Sequence, residues 1–283
     1  MRRFSFILAS GHPEYSKNPV KRFALSPFMW YDRKNDFSHK GGSGMRESEW
    51  NGFRRIDFVF EGMEAILVFP KKANGRGSWM LKTEYFGAFP ALELAMLERG
   101  WHLAYVQNVT RWCLERDLDT KKRFAEFLHA EYGLSQKCVP VGMSCGGLIA
   151  AKLAAKYPAC IAALYLDAPV LNLLSCPAGI GKAGSEMLPE FIAATGMDLS
   201  ALICWREHPI DQMHLLLQAG IPIMLVYGDS DDVVPYCENG ALLEKYYRDN
   251  GGAITAIGKP GCGHHPHGLE DNAPIIAFME QYG

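Results

Sequence analysis

The chain from about residue 56 alternates short apolar runs with helical segments, and no other feature limits the possible folds as much. Eight strands are predicted, at 57–60, 65–69, 79–81, 102–106, 137–141, 163–166, 223–227 and 253–257. The later runs are apolar nearly throughout, as expected for parallel strands covered on both faces. Helices are predicted at 88–98, 120–132, 147–157, 239–249 and 273–281. This order predicts an α/β fold with an eight-stranded, mostly parallel sheet and helices on both faces.

Two stretches depart from this alternation. Residues 1–50 have no sustained periodicity and mix aromatic residues with turn formers, so we interpret them as an irregular N-terminal arm packed on a domain of residues 51–283. Residues 172–210 are longer than a usual crossover between strands. They predict a small cap insertion over a pocket, and an extra helical pair at the sheet edge fits the pattern equally well.

Charge and composition limit the partners. The 29 basic and 31 acidic residues give a formal net charge of −2, so we expect neither nucleic acid nor an anionic membrane as a partner. The eight cysteines form no C-x-x-C pair, which favours reduced thiols and a cytoplasmic location. The apolar stretch near Met1 is shorter than the ~7–15 residues of a signal peptide, although a removed leader would indicate the periplasm or secretion. No feature indicates an oligomeric state.

A G-x-S-x-G motif around Ser144 carries the strongest functional signal. It lies between a predicted strand and a predicted helix, which is the context that the motif requires. The flanking Gly142 and Gly146 allow a sharp turn that exposes the serine hydroxyl beside a helix N-terminus. We therefore predict that Ser144 is a nucleophile and that the backbone N–H of Cys145 is an oxyanion donor. The alternatives are a serine that only caps the helix, and Cys145 as the nucleophile.

A serine nucleophile needs a base and an acid, which this motif's fold class presents in the order Ser, acid, His. After the predicted strand 223–227, three carboxylates follow within four positions. Asp231 is our first choice for the acid, Asp232 the second and Asp229 the third, and an acidic turn without a catalytic role is the alternative. Asp167, which closes the preceding strand, is an outside candidate.

The loop after the last predicted strand contains three histidines within four residues. His264 directly follows Gly263 and is our choice for the base, with His265 close behind. His265 and His267 are also predicted to contact the substrate, and His267 can instead shape the loop. A metal site is the alternative, but no second ligand set accompanies these histidines, so we predict no metal and no cofactor.

The loop at 82–87, after the third predicted strand, should supply the second oxyanion donor. A backbone N–H near Lys82 or Thr83 is predicted to serve, and Thr83 is our choice. Lys82 is predicted to meet a polar substrate, and its pairing with Glu84 is the alternative.

Together these motifs resemble the α/β-hydrolase family over residues 55–283. The segments 79–90 and 263–269 are similar to a bacterial subset that is distantly related to prolyl oligopeptidases and dienelactone hydrolases. The resemblance implies an α/β-hydrolase sheet and a triad of Ser144, Asp231 and His264. The chain departs from dienelactone hydrolases by placing serine where they place cysteine, and it lacks the His-Gly-Gly oxyanion signature of many esterases.

The resemblance also implies a serine esterase acting on a small-molecule ester through an acyl-enzyme. Members of the bacterial subset are often associated with polysaccharide breakdown, which suggests acetyl or other short acyl esters on carbohydrate. The alternatives are a peptidase or thioesterase of the same fold, because one triad serves all acyl transfers, and a non-catalytic small-molecule-binding member.

Overall fold

The computed structural model describes residues 44–283 and builds them around one nine-stranded sheet. The spatial order of the strands is β1-β2-β3-β5-β4-β6-β7-β8-β9. Strands β4 to β9 are parallel to one another, whereas β1, β2 and β3 join the sheet through antiparallel pairs. The strands are β1 (Arg46–Trp50), β2 (Phe53–Phe60), β3 (Met63–Val68), β4 (Trp79–Lys82), β5 (His102–Val106), β6 (Val139–Met143), β7 (Leu164–Asp167), β8 (Ile223–Gly228) and β9 (Ile254–Lys259).

All eight predicted strands are present, and the ninth corrects the predicted number. Residues Arg46–Trp50 form β1, so the irregular arm predicted for residues 1–50 does not extend over them. The cause is a two-residue hairpin at Asn51 and Gly52, whose φ angles are 50° and 82°. Asn-Gly favours the positive φ angles of such a turn, and it joins β1 to the antiparallel β2. The remainder of the predicted arm, residues 1–43, lies outside the described residues.

Helices cover both faces of the sheet, as predicted. Helices α1 and α8 contact each other on one face, while α2, α3, α6 and α7 form a contacting series on the other. Each face encloses its own buried apolar cluster. The helices are α1 (Ala91–Glu98), α2 (Glu115–Tyr132), α3 (Cys145–Lys156), α4 (Leu188–Thr195), α5 (Leu199–Cys204), α6 (Met213–Gln218), α7 (Gly240–Asp249) and α8 (Ala273–Tyr282).

Between β7 and β8 the chain forms α4, α5 and α6, and the first two lie within the predicted insertion 172–210. Phe191 and Leu202 are buried in the same cluster as α3, so the insertion packs on the domain. Helix α4 is also held by Glu190, which accepts hydrogen bonds from Arg111 Nε at 2.8 Å and Trp112 Nε1 at 3.2 Å. The role of the insertion 172–210 as a cap over a pocket stays a prediction.

The described helices were also compared with the length of a membrane span. Within residues 44–283, no single helix is long and apolar enough to cross a membrane. One pair, Leu188–Thr195 with Leu199–Gln218, meets the requirement by length and composition only, and it is bent by 83°.

Candidate active site

Ser144 lies in the turn that joins β6 to α3, and its backbone is strained. Its φ and ψ angles are 53° and −121°, a conformation that a residue with a side chain rarely adopts. Three hydrogen bonds maintain it: the Ser144 N–H donates to Asp167 O at 2.9 Å, and its carbonyl accepts from Gly147 N and Val170 N at 2.9 and 3.1 Å. The strand, strained turn and helix are the arrangement of a nucleophile elbow.

Close backbone packing explains the glycines of this turn. A Cβ atom at Gly142 would lie 2.6 Å from Gly146 O, and one at Gly147 would lie 2.4 Å from Pro169 Cβ. A Cβ atom at Gly146 would meet Thr83 Oγ1 at 3.1 Å, a less severe contact. The second glycine of the sequence motif is Gly146, but the position where a side chain would clash most severely is Gly147.

Asp231 follows β8, and both of its carboxylate oxygens have partners. Oδ1 accepts the backbone N–H groups of Val233 and Val234 at 2.9 and 2.8 Å. Oδ2 accepts from His264 Nδ1 at 2.7 Å, and the side chain of Asp231 is only 1% exposed. Asp232 is exposed and makes no hydrogen bond with His264 in the described part of the chain. The carboxylate that faces the imidazole therefore belongs to Asp231.

His264 connects this carboxylate to the serine. Its Nε2 atom lies 3.0 Å from Ser144 Oγ, and its Nδ1 atom, on the other side of the ring, is hydrogen-bonded to Asp231. The two loops dock tightly, because a Cβ atom at Gly228 would lie 2.3 Å from the carbonyl oxygens of Cys262 and Gly263. The structure thus brings the predicted nucleophile, base and acid into one hydrogen-bonded series.

A second aspartate–histidine pair lies beside the first. His267 Nδ1 donates to Asp167 Oδ1 at 2.9 Å, and Gly268 N–H and Tyr165 Oη donate to Asp167 Oδ2 at 2.6 and 3.0 Å. Burial alone would raise the pKa of Asp167. The hydrogen bond from His267 and the nearby charge of Lys259 outweigh it, so the pKa of Asp167 is lowered. Asp167 therefore holds the histidine loop through His267 and not through His264.

His265 and His267 differ in accessibility. His265 is exposed and stacks on Phe89, with ring centroids 5.5 Å apart and planes 13° apart. Desolvation, followed by the neighbouring imidazoles of His264 and His267, lowers the pKa of His265 to about 4. The side chain of His267 is only 3% exposed, and its pairing agrees with a role in shaping the loop. Contact of either histidine with a substrate stays a prediction.

The sulfur of Cys145 is poorly suited to nucleophilic attack. Its side chain is buried behind the elbow, and burial raises the pKa of the thiol to about 11. A protonated thiol is a weak nucleophile. The backbone N–H of Cys145 begins α3 directly after Ser144, the position predicted for an oxyanion donor.

The predicted donor at Thr83 is wrong. Its backbone N–H donates to Val141 O at 3.2 Å as an extension of the β4–β6 pairing, and Thr83 is fully buried. The next backbone nitrogen, that of Glu84, lies 3.5 Å from a Cβ atom built at Gly146 and has no backbone acceptor within residues 44–283. Thr83 instead supports the elbow, since its Oγ1 donates to Gly146 O at 2.7 Å.

The predicted contact of Lys82 with a substrate is also wrong. Its side chain is 1% exposed, and Nζ lies 2.5 Å from Glu93 Oε1 on α1. Nζ also lies 3.3 Å from Met143 Sδ. Lys82 closes β4, a strand buried on both faces, so its amine points into the layer under α1 and away from the solvent.

Asn108, which sequence reasoning missed, holds the loop after β4. Its Nδ2 donates to Thr83 O at 2.7 Å and to Glu84 Oε2 at 2.6 Å. Asn108 is buried, and its Oδ1 has no hydrogen-bond partner among the described residues. Only its position two residues after β5 could have indicated this role, because that end of a parallel strand lies at the same sheet edge as Ser144.

Comparisons with known proteins place this geometry in a fold. No protein-family model and no curated protein matches the sequence. Among solved structures, the chain is similar to Porphyromonas gingivalis dipeptidyl peptidase 4, with 13% identity and a TM-score of 0.61 over 83% of this chain and 36% of that one. It is similar to an S-formylglutathione hydrolase from Agrobacterium tumefaciens, with 16% identity and a TM-score of 0.54 over 83% and 95%.

A truncated carbohydrate esterase from gut microbiota is a third similar structure, with 15% identity and a TM-score of 0.56 over 77% of this chain and 90% of that one. The chain therefore spans about a third of the length of the peptidases that it matches and most of the length of the S-formylglutathione hydrolase and the carbohydrate esterase. The sheet order and these similarities show that the chain has the α/β-hydrolase fold.

Proposed function

We propose that this protein is a serine hydrolase that cleaves carboxylic esters through an acyl-enzyme. One observation carries the proposal: the unbroken hydrogen-bonded series from Asp231 through His264 to Ser144, with heavy-atom separations of 2.7 and 3.0 Å. This is the geometry of a nucleophile, its base and the acid that orients the base.

In the proposed reaction, His264 Nε2 takes the hydroxyl proton as Ser144 Oγ bonds to the ester carbonyl carbon. The carbonyl electron pair moves to oxygen, where the N–H groups of Cys145 and Glu84 stabilise the negative charge. When the intermediate collapses, the carbon–oxygen bond to the alcohol breaks and His264 protonates the leaving oxygen. Water then attacks the acyl carbon with His264 again as the base. The bond from that carbon to Ser144 Oγ breaks, His264 returns the proton to Oγ, and the acid leaves.

Asp231 sets the direction of proton transfer. Its Oδ2 accepts the Nδ1 proton of His264, so the lone pair of the neutral imidazole is on Nε2 and faces Ser144. Because Val233 and Val234 donate to Oδ1, the carboxylate keeps one orientation.

The substrate class is proposed from the similar structures and from the mouth of the site. The S-formylglutathione hydrolase, whose substrate is a thioester, and the carbohydrate esterase each match this chain over most of their length, which favours an ester or thioester over a peptide. We propose a short acyl ester, with acetyl on carbohydrate as the first choice. His265 and Phe89, which are exposed and stacked beside His264, offer a flat surface of the kind that binds a sugar ring. Peptide cleavage is the second candidate, because the chain also matches peptidases in fold.

The test is hydrolysis of p-nitrophenyl esters from acetate to octanoate, with aminoacyl p-nitroanilides in parallel. Wild type is compared with Ser144→Ala and with Cys145→Ala as the matched control, since Cys145 contributes its backbone and not its thiol. We expect activity on acetate that Ser144→Ala abolishes and Cys145→Ala retains, and labelling of Ser144 by a fluorophosphonate. Cleavage of anilides but not esters would support the peptidase. A folded wild type that neither hydrolyses an ester nor reacts with the fluorophosphonate would contradict the proposal.

A further inference from the structure

Three imidazoles meet at one point of the histidine loop. The ring centroids of His264, His265 and His267 are separated by 4.8, 5.1 and 4.9 Å, and the ring planes cross at 63°, 81° and 88°. One ligand nitrogen from each ring lies within 4.8 Å of the other two. Three rings bound to one tetrahedral Zn²⁺ at ~2.0–2.1 Å would have nitrogens ~3.3 Å apart and steeply inclined planes. The observed nitrogens lie as much as 4.8 Å apart, so they must move closer together to bind one ion.

The two buried members of this histidine cluster carry the support that metal-binding histidines need. His264 Nδ1 donates to Asp231 at 2.7 Å, and His267 Nδ1 donates to Asp167 at 2.9 Å. A metal-bound histidine almost always donates its other ring N–H to such a partner, which fixes the tautomer and leaves Nε2 to bind the metal. A triad accounts for the pair at His264, and anchoring of the loop accounts for the pair at His267, but both pairs also have the form that a metal-bound histidine requires.

The third member is able to close the set. His265 is exposed at the mouth of the site, and its ring contacts Phe89 on one side. Its ring nitrogen already lies within 4.8 Å of those of the two buried rings. The charge balance is also favourable, because two carboxylates stand behind the rings and, within residues 44–283, Lys259 is the one lysine or arginine that forms an ion pair with them, 4.0 Å from Asp167. A divalent cation would meet a local net charge of about −1.

We propose that His264, His265 and His267 form a binding site for a divalent transition metal, with Zn²⁺ as the representative ion. Imidazole donors select Zn²⁺, Cu²⁺ and Ni²⁺ over Mg²⁺ and Ca²⁺, which prefer oxygen. Bound metal occupies the Nε2 lone pair of His264 and displaces the Ser144 hydroxyl, whose Oγ lies 3.0 Å from that nitrogen. Metal binding therefore inhibits the hydrolase, and this consequence, unlike the site itself, rests on the proposed function.

The site is tested first without activity. Zn²⁺ is titrated into the full-length Ser144→Ala variant by calorimetry, with Mg²⁺ in a parallel titration. We expect saturable binding of one Zn²⁺ and none of Mg²⁺. His265→Ala in this background should weaken the binding at least ten-fold, and Asp167→Asn should weaken it by ~10- to 100-fold, as for other carboxylates behind metal-bound histidines. His214→Ala is the matched control, because His214 is also exposed but lies on α6 outside the cluster.

Absence of saturable Zn²⁺ binding, or equal weakening by His265→Ala and His214→Ala, would overturn the proposal. The second arm uses active enzyme: Zn²⁺ should inhibit p-nitrophenyl acetate hydrolysis with the midpoint found by calorimetry, and EDTA should restore it. Zn²⁺ binding by a protein that hydrolyses no ester would leave the metal site standing and remove the esterase. Ser144-dependent hydrolysis without Zn²⁺ binding would do the reverse.

Discussion

Replacing Asp231 by asparagine tests the proposed mechanism most directly. The amide oxygen can take the position of Oδ1 and keep the two hydrogen bonds from Val233 and Val234. The amide NH₂ then faces His264 Nδ1, where a donor would meet a donor. The imidazole must move its proton to Nε2, and that nitrogen can no longer accept the proton of Ser144.

The expected loss follows from this tautomer change. A wrong tautomer in a serine triad lowers kcat by about 10⁴-fold, which corresponds to about 5 kcal/mol of transition-state stabilisation. Stability should change by only ~1 kcal/mol, since one charge-assisted hydrogen bond is exchanged and two are kept. The assay is kcat for p-nitrophenyl acetate together with urea unfolding of the same samples. Asp232→Asn is the matched control, being the exposed neighbour without a bond to His264. More than a tenth of wild-type activity in Asp231→Asn, or an equal loss in the control, would refute the reasoning.

Three further substitutions test stability. Lys82→Met should lower the free energy of unfolding by about 3–5 kcal/mol, because it leaves the buried Glu93 without its ion-pair partner, and adding Glu93→Leu should recover most of the loss in urea unfolding. Gly147→Ala should cost about 1–3 kcal/mol and lower the melting temperature, because its Cβ atom would overlap Pro169. Burial lowers the pKa of Lys121 from 10.5 to about 8, so as the pH rises the folded protein releases this proton before the unfolded chain does. The free energy of unfolding therefore rises with pH between about 8 and 10.5. Lys121→Met should remove up to about 3 kcal/mol of that rise.

Matched variants show which measurements would contradict these three expectations. Gly146→Ala should cost less than Gly147→Ala because its Cβ atom meets Thr83 Oγ1 at 3.1 Å, and the opposite order would be inconsistent with the packing of the elbow. Lys122→Met changes the partly exposed neighbour of Lys121 and should leave the rise in unfolding free energy between about pH 8 and 10.5 intact. If the double variant Lys82→Met with Glu93→Leu is no more stable than Lys82→Met, the uncompensated charge is not the cause of the loss.

The sheet was largely predictable because its central strands are apolar and short, and because turn residues separate them. The missed strand β1 is an edge strand whose side chains are exposed or half-buried. It therefore lacks the apolar run that indicates a central strand. Asn51-Gly52 was the available signal, since this dipeptide favours a hairpin turn. A hairpin at the edge of a sheet is thus found from its turn and not from its strands.

Part of the candidate site was also predictable from the sequence and part was not. Motifs that impose a local backbone conformation placed Ser144, and the order of strands placed the loops of Asp231 and His264. Lys82 and Thr83 were misjudged because a sequence does not show which face of a strand a residue occupies or which carbonyl its N–H meets. Lys82 lies under α1 beside Glu93, and the Thr83 N–H extends the sheet to Val141. Both facts depend on the neighbouring strand, which is remote in the sequence.

The two carboxylate–histidine pairs explain how one loop holds the imidazole of His264 in place. Asp231 and Asp167 follow or close the adjacent parallel strands β8 and β7, so their carboxylates stand at the same sheet edge. Each fixes one histidine of the loop through Nδ1, at His264 and at His267. A loop fixed at two points three residues apart cannot swing His264 away from Ser144 without breaking both buried pairs. The same two pairs hold the rings of His264 and His267 with their centroids 5.1 Å apart, so the proposed metal site and the proposed base share one rigid loop.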